Sequence, residues 1–138
     1  MVMERLLVGV DGSNNSEEAV RYAEDIWRKY GSSITLIFVW HPPAASGQGI
    51  VIREIPEYEL EKLVKAEKIL KDAGITYSVI KKIGNPAMHI IDESKKGYDL
   101  LVMGSRGLGS VEGFLLGSVT SRVTHHVHIP VLIVPPKG

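Results

Sequence analysis

The chain has 138 residues, balances 16 lysines and arginines against 16 aspartates and glutamates, and contains no cysteine. The length fits one domain that buries a core without staples. Zero formal charge gives no general attraction to nucleic acid or an anionic membrane, and the missing thiols exclude disulfides, thiolate metal sites and cysteine nucleophiles.

The first residues, Met1 to Val8, include an acid and run directly into a strand-like segment, unlike a secretory leader. No apolar run approaches the roughly 20 residues of a membrane span, so the expectation is a soluble cytoplasmic domain. Leu6 to Val10 reads as a strand that ends in the turn-and-cap cluster Asp11-Gly-Ser-Asn-Asn15. From Ser16, the apolar residues Ala19, Val20, Ala23, Ile26 and Trp27 recur at steps of three and four, predicting an amphipathic helix. Gly31 is placed to cap it, and Ile34 to Trp40, rich in β-branched and aromatic residues, predicts the second strand.

The segment 41–55 begins His41-Pro42-Pro43 and has no periodicity; it reads as a loop. Between Pro56 and Ala73, the residues Leu60, Leu63, Val64, Leu70 and Ala73 predict one helical stripe, with Glu61 to Lys65 and Glu67 to Lys71 spaced as ion pairs on its solvated face. Gly74 ends that helix, and Ile75 to Ile80 alternates as an edge strand. Pro86 opens a helix that Gly97 closes, and Leu100 to Met103 is a short apolar strand. After a glycine-rich stretch come a helix from about Ser118 to His126 and a last strand, Val131 to Val134.

Strands and helices thus alternate five times, and the central strands are continuous apolar runs of the kind buried on both faces. This predicts an α/β fold: an open five-stranded parallel sheet with helices on both faces, forming a single domain over residues 1–138. Such a chain winds outward from its first strand, and ligands bind at the carboxyl ends where the winding reverses. The loops beginning at Asp11 and Gly104 would meet there.

Glycines stand at 104, 107, 109, 113 and 117, between an apolar strand and a helix start. Taken alone, they fit either a flexible connection or a backbone cradle that offers helix-terminal amides to phosphate. The stretch is not a P-loop, because it lacks Gly-Lys-Ser or Gly-Lys-Thr, and no Gly-x-Gly-x-x-Gly follows the first strand. Gly104-Ser-Arg-Gly107, nine residues and then Gly117-Ser118 resemble the Gly-x-x-Gly, nine, Gly-Ser/Thr motif of the ATP-binding branch of the universal stress protein family. Val8-Gly-Val-Asp-Gly-Ser13 resembles the family's first strand and acidic loop, and Pro130 to Val134 its closing strand.

The resemblance implies a Rossmann-like sheet in the order 3-2-1-4-5, similar to the adenine nucleotide alpha hydrolases, and a homodimer formed through the last strand. It also implies a site. Asp11 would bind the ribose hydroxyls, Gly9 and Val10 would border adenine, and Val39 would contact adenine through its backbone. Met103 and Gly104 would line base and ribose. Gly107, Gly117, Ser118, Val119 and Thr120 would offer amides and hydroxyls to the phosphates, with Arg106 as a possible added charge. The ligand would be ATP or another adenine nucleotide, with Mg²⁺ carried on its phosphates. Carboxylate on diol, and amides with a positive dipole end on phosphate, are chemically apt pairings. Asp11 also has a purely local reading as a helix cap, a role for which Ser13, Asn14 and Asn15 compete.

His125, His126 and His128 sit where a helix ends before Pro130, which fits dipole complementation better than a metal centre. No Gly-x-Ser-x-Gly elbow accompanies Ser105, Ser110, Ser118 or Ser121, and Glu112 is given no role. The short apolar strand Val131 to Val134, bounded by Pro130 and Pro135, is an edge suited to antiparallel pairing with its twin. The functional expectation is a dimeric, ATP-binding sensor or binding module, without nucleic-acid or membrane partners. The alternatives are a slow ATP hydrolase or nucleotidyl-transferring enzyme in the same pocket, and a flavin carrier. The last is disfavoured because flavin phosphate loops normally follow the first strand.

Overall fold

The computed structural model describes residues 2–43, 53–107 and 116–137. Five strands, β1 (Arg5–Val10), β2 (Ser33–Trp40), β3 (Tyr77–Ile83), β4 (Leu100–Gly104) and β5 (Val131–Val134), form one sheet in the order 3-2-1-4-5. Every neighbouring pair is parallel. The helices are α1 (Asn14–Tyr30), α2 (Glu57–Leu60), α3 (Val64–Asp72), α4 (Pro86–Ser94) and α5 (Ser118–His126), with a tight 3-10 turn at Glu61–Leu63. None of the described helices is long and apolar enough to cross a membrane.

The alternation of β1 sorts the core into two layers. Leu6, Val8 and Val10 pack with Ala19, Val20 and Ala23 of α1 and with Leu63, Ala66 and Leu70, while Leu7 packs with Ala87 and Ile90 of α4 and Val123 of α5. A central strand covered on both faces has no place for polar residues, which is why β1 and β4 are continuous apolar runs.

Three elements depart from the sequence expectation. The helix expected over Pro56 to Ala73 is divided by the 3-10 turn. At three residues per turn this segment shifts the phase of the apolar stripe, so Val64 is 59% exposed and Ala66 takes the buried place. The expected pairs Glu61 to Lys65 and Glu67 to Lys71 give way to Glu59 with Lys62 and Asp72 with Lys68, and Glu67 instead accepts the Tyr77 hydroxyl.

The third strand runs from Tyr77 to Ile83, not from Ile75 to Ile80. Gly74, at φ 73, donates its N–H to Lys71 O, and Ile75 donates to Leu70 O. Ile75 therefore belongs to the helix cap, as its buried apolar contact, while the exposed Lys81 and Lys82 continue the edge strand opposite Phe38 and Val39. Helix α4 ends at Ser94, and Gly97, at φ 85, belongs to the turn after it. Helix α1 begins at Asn14 because Ser13 is its N-cap, with the Ser13 side chain accepting from Ser16 N.

Candidate functional site

A cavity of about 470 Å³ opens at the carboxyl ends of β1, β2 and β4, beside the point where the winding reverses. It is lined by all twelve residues picked from the sequence: Gly9, Val10, Asp11, Val39, Met103, Gly104, Arg106, Gly107, Gly117, Ser118, Val119 and Thr120. The nine-residue spacing in the sequence thus corresponds to two backbone segments that face each other. Gly117 N donates to Ser105 O at 2.6 Å, which joins the start of α5 to the turn after β4. Glu112, Ser110, Gly109 and Gly113, and the loop residues 44–52, lie outside the described residues.

Asp11 stands just beyond the end of β1. Its Oδ1 accepts from Ser13 N at 2.9 Å and from Ser13 Oγ at 2.6 Å. Asp11 orders the turn and Ser13 caps the helix, which settles the competition among cap candidates. Gly12, at φ 87, supplies the left-handed residue of that turn.

Close approach explains Gly104 and Gly107. A Cβ on Gly104 would lie 2.8 Å from Asn15 Cγ and Oδ1, and one on Gly107 would run into Asp11 Oδ2. Gly117 is looser, with Arg106 Cα the nearest atom to a Cβ there, at 3.4 Å.

The start of α5 differs from the starts of α1 and α4. Ser13 caps α1 and Asn85 caps α4, but Gly117 brings no side-chain acceptor to α5. The first-turn amides of Ser118, Val119 and Thr120 therefore lie beside the cavity without a side-chain cap, at the positive end of the helix dipole. The Thr120 hydroxyl, expected to face phosphate, instead donates to Gly104 O at 2.9 Å and is buried, so its backbone amide is the donor left for a ligand. Arg106 lines the cavity, and its Nε is buried with no hydrogen-bond partner among the described residues.

Sequence reasoning missed Asn15 as more than a cap. Its Oδ1 accepts Arg106 N at 2.8 Å and its Nδ2 donates to Val134 O at 2.9 Å, so one buried amide ties α1 to the turn after β4 and to the end of β5. Glu59, Lys62, Trp40, His41, Pro86 and Ile90 also line the cavity. The spacing rule that finds the glycines carries no signal for these.

The C-terminal histidines do not assemble. His125 and His126 each direct Nδ1 to the carbonyl four residues back, at 2.6 and 2.7 Å. Among the described residues, no group of three histidines or carboxylates is placed to hold a metal.

An open doubly wound α/β sheet with a ligand-sized cavity at its switch point defines the class of protein. Within that class, the model of the universal stress protein family matches residues 3–135, and the chain belongs to this family. It is 31% identical to universal stress protein MJ0531 of Methanocaldococcus jannaschii over 95% of this chain and 81% of that protein. It is 30% identical to universal stress protein YxiE of Bacillus subtilis over 96% and 99% of the respective chains. Among solved structures, it is similar to MJ0577, a protein given a structure-based assignment of biochemical function, with a TM-score of 0.81, 25% identity and coverage of 100% and 99% of the respective chains. It is also similar to a universal stress protein in complex with cAMP, with a TM-score of 0.72, 27% identity and coverage of 99% and 100%.

Proposed function

We propose that the chain binds an adenine nucleotide, ATP, in the cavity at the carboxyl ends of β1, β2 and β4, and acts in the cytoplasm as a nucleotide-dependent sensor or binding module of the stress response. The observation that carries this reading is the helix start at Gly117. Three first-turn amides without a side-chain cap border a cavity that the Asp11 carboxylate also lines, beside Gly107. Amides and a positive dipole end suit phosphate, a carboxylate suits a ribose diol, and Val39, Met103 and Ile90 offer an apolar slot for a base. The related protein in complex with cAMP supports the adenine class. Mg²⁺ would ride on the phosphates, with the chain holding the nucleotide and not the ion.

The proposed assembly is a homodimer through β5. This outer strand presents Val131, Leu132 and Ile133 partly exposed, and a second copy would cover both them and its open backbone edge.

The test is calorimetry on nucleotide-stripped protein, with mass spectrometry of any small molecule released on denaturation. ATP is expected to bind, and Asp11→Ala is expected to weaken it about tenfold or more, the scale of a lost charged hydrogen bond. Absence of ATP binding, or unchanged affinity in Asp11→Ala, overturns the reading. Incubation with labelled ATP then shows whether the nucleotide is held or consumed.

A further inference from the structure

The geometry points to Lys62 as a residue that reads the phosphate charge of the ligand, with Glu59 as the internal anion that competes for it. This rests on the nucleotide reading above and adds to it a cation that no sequence motif supplies.

Lys62 belongs to the 3-10 turn between α2 and α3, and its neighbour Leu63 is 1% exposed in the core, which fixes the turn against the sheet. The stem of Lys62 lies across Gly12. A Cβ on Gly12 would stand 2.7 Å from Lys62 Cβ and 2.9 Å from Cγ, so the glycine next to Asp11 leaves the room that the stem occupies. Lys62 Nζ pairs with Glu59 Oε2 at 2.7 Å, and both residues line the cavity.

Four formally charged side chains border that space: Asp11 and Glu59 against Lys62 and Arg106. Their charges cancel. A polyphosphate entering such a cavity gains from each cation, and a lysine already held by a carboxylate must be shared or released. The ammonium is a compact charge on a flexible stem, able to leave Glu59 for a phosphate oxygen while the stem stays on Gly12. Affinity should therefore rise with the number of phosphates, and Glu59 should hold it below its limit.

The test titrates ATP, AMP and adenosine into the full chain and into Lys62→Met, Lys62→Arg and Glu59→Gln. Methionine keeps the stem and removes the charge, and thermal melts check that each variant is folded. Lys62→Met should weaken ATP about tenfold, weaken AMP less and leave adenosine within about twofold, as expected for one charge-assisted contact. Lys62→Arg should restore most of the ATP affinity, and Glu59→Gln should tighten ATP by about threefold through removal of the competing charge. Equal losses for ATP and adenosine in Lys62→Met, or no loss, overturn the assignment while leaving the nucleotide reading standing. A weakened or unchanged Glu59→Gln overturns the competition. Failure of the unmodified chain to bind ATP overturns both readings.

Discussion

Asn15→Ala tests whether one buried amide holds three elements together. Its loss leaves Arg106 N without the Asn15 Oδ1 acceptor at 2.8 Å. Val134 O is not orphaned, because it also accepts Ser105 N at 2.8 Å, and the contact from Ser105 Oγ is long, at 3.4 Å. The expected cost is thus that of one unsatisfied, part-buried donor, about 2 kcal/mol, and not three hydrogen bonds. For a chain of this size that corresponds to a fall in Tm of roughly 6 to 8 °C. Gly104→Ala should cost about 1 to 3 kcal/mol in the parent, since the added methyl meets Asn15 Cγ and Oδ1. In an Asn15→Ala background those two closest atoms are gone, while the backbone oxygen of residue 15, 3.0 Å from the new Cβ, still crowds it. The two changes together should therefore cost about 1 kcal/mol less than their sum. Urea unfolding of the four proteins, followed by tryptophan fluorescence, measures this coupling. Strict additivity, or an Asn15→Ala cost below about 0.5 kcal/mol, the range of ordinary surface changes, would refute the reasoning.

Two further outcomes separate folding from binding. Gly117→Ala meets nothing closer than 3.4 Å and has no positive φ to lose, so its stability cost should be confined to the N-cap preference for glycine over alanine, about 1 kcal/mol, while it weakens ATP, whose phosphates would approach that backbone; equal ATP affinity in a folded variant counts against phosphate at this helix start. Burial first, and then its bond to Glu67, pushes the Tyr77 hydroxyl from the ordinary 10.0 up to about 12. The folded chain therefore holds that proton where the unfolded chain releases it, so the stabilisation is complete below pH 10 and is lost as pH climbs from 10.0 towards about 12. Tyr77→Phe should flatten this alkaline loss, and ultraviolet titration of the parent should lack Tyr77 near pH 10, together with Tyr98, whose hydroxyl is also pushed up by burial and then by its bond to Glu93; a full complement of tyrosines there rejects the shift.

The sheet order was legible because burial on both faces leaves its mark strand by strand, as in Leu6 to Val10 and Leu100 to Met103, and because the family resemblance supplies the winding. The third strand was misplaced because two conflicting signals meet there. Ile75 is apolar for the sake of a helix cap, while Lys81 and Lys82 are polar within a paired edge strand. Local pattern reads side-chain chemistry, and at a sheet edge that chemistry no longer reports backbone pairing.

The site divides along the same line. The glycines could be found by spacing, but the reason for them could not. None of Gly104, Gly107 and Gly117 has a positive φ; at Gly104 and Gly107 a Cβ would meet Asn15 and Asp11, while Gly117 leaves open the approach to α5. That requirement is set by partners far along the chain. Asn15 lies 91 residues from Arg106 and 119 from Val134, and Lys62 reaches Gly12 only because Leu63 is buried beside it. A motif records where backbone must come close and is silent about the side chains that occupy the space it leaves. The charge balance of the cavity is carried in part by Glu59 and Lys62, outside the motif.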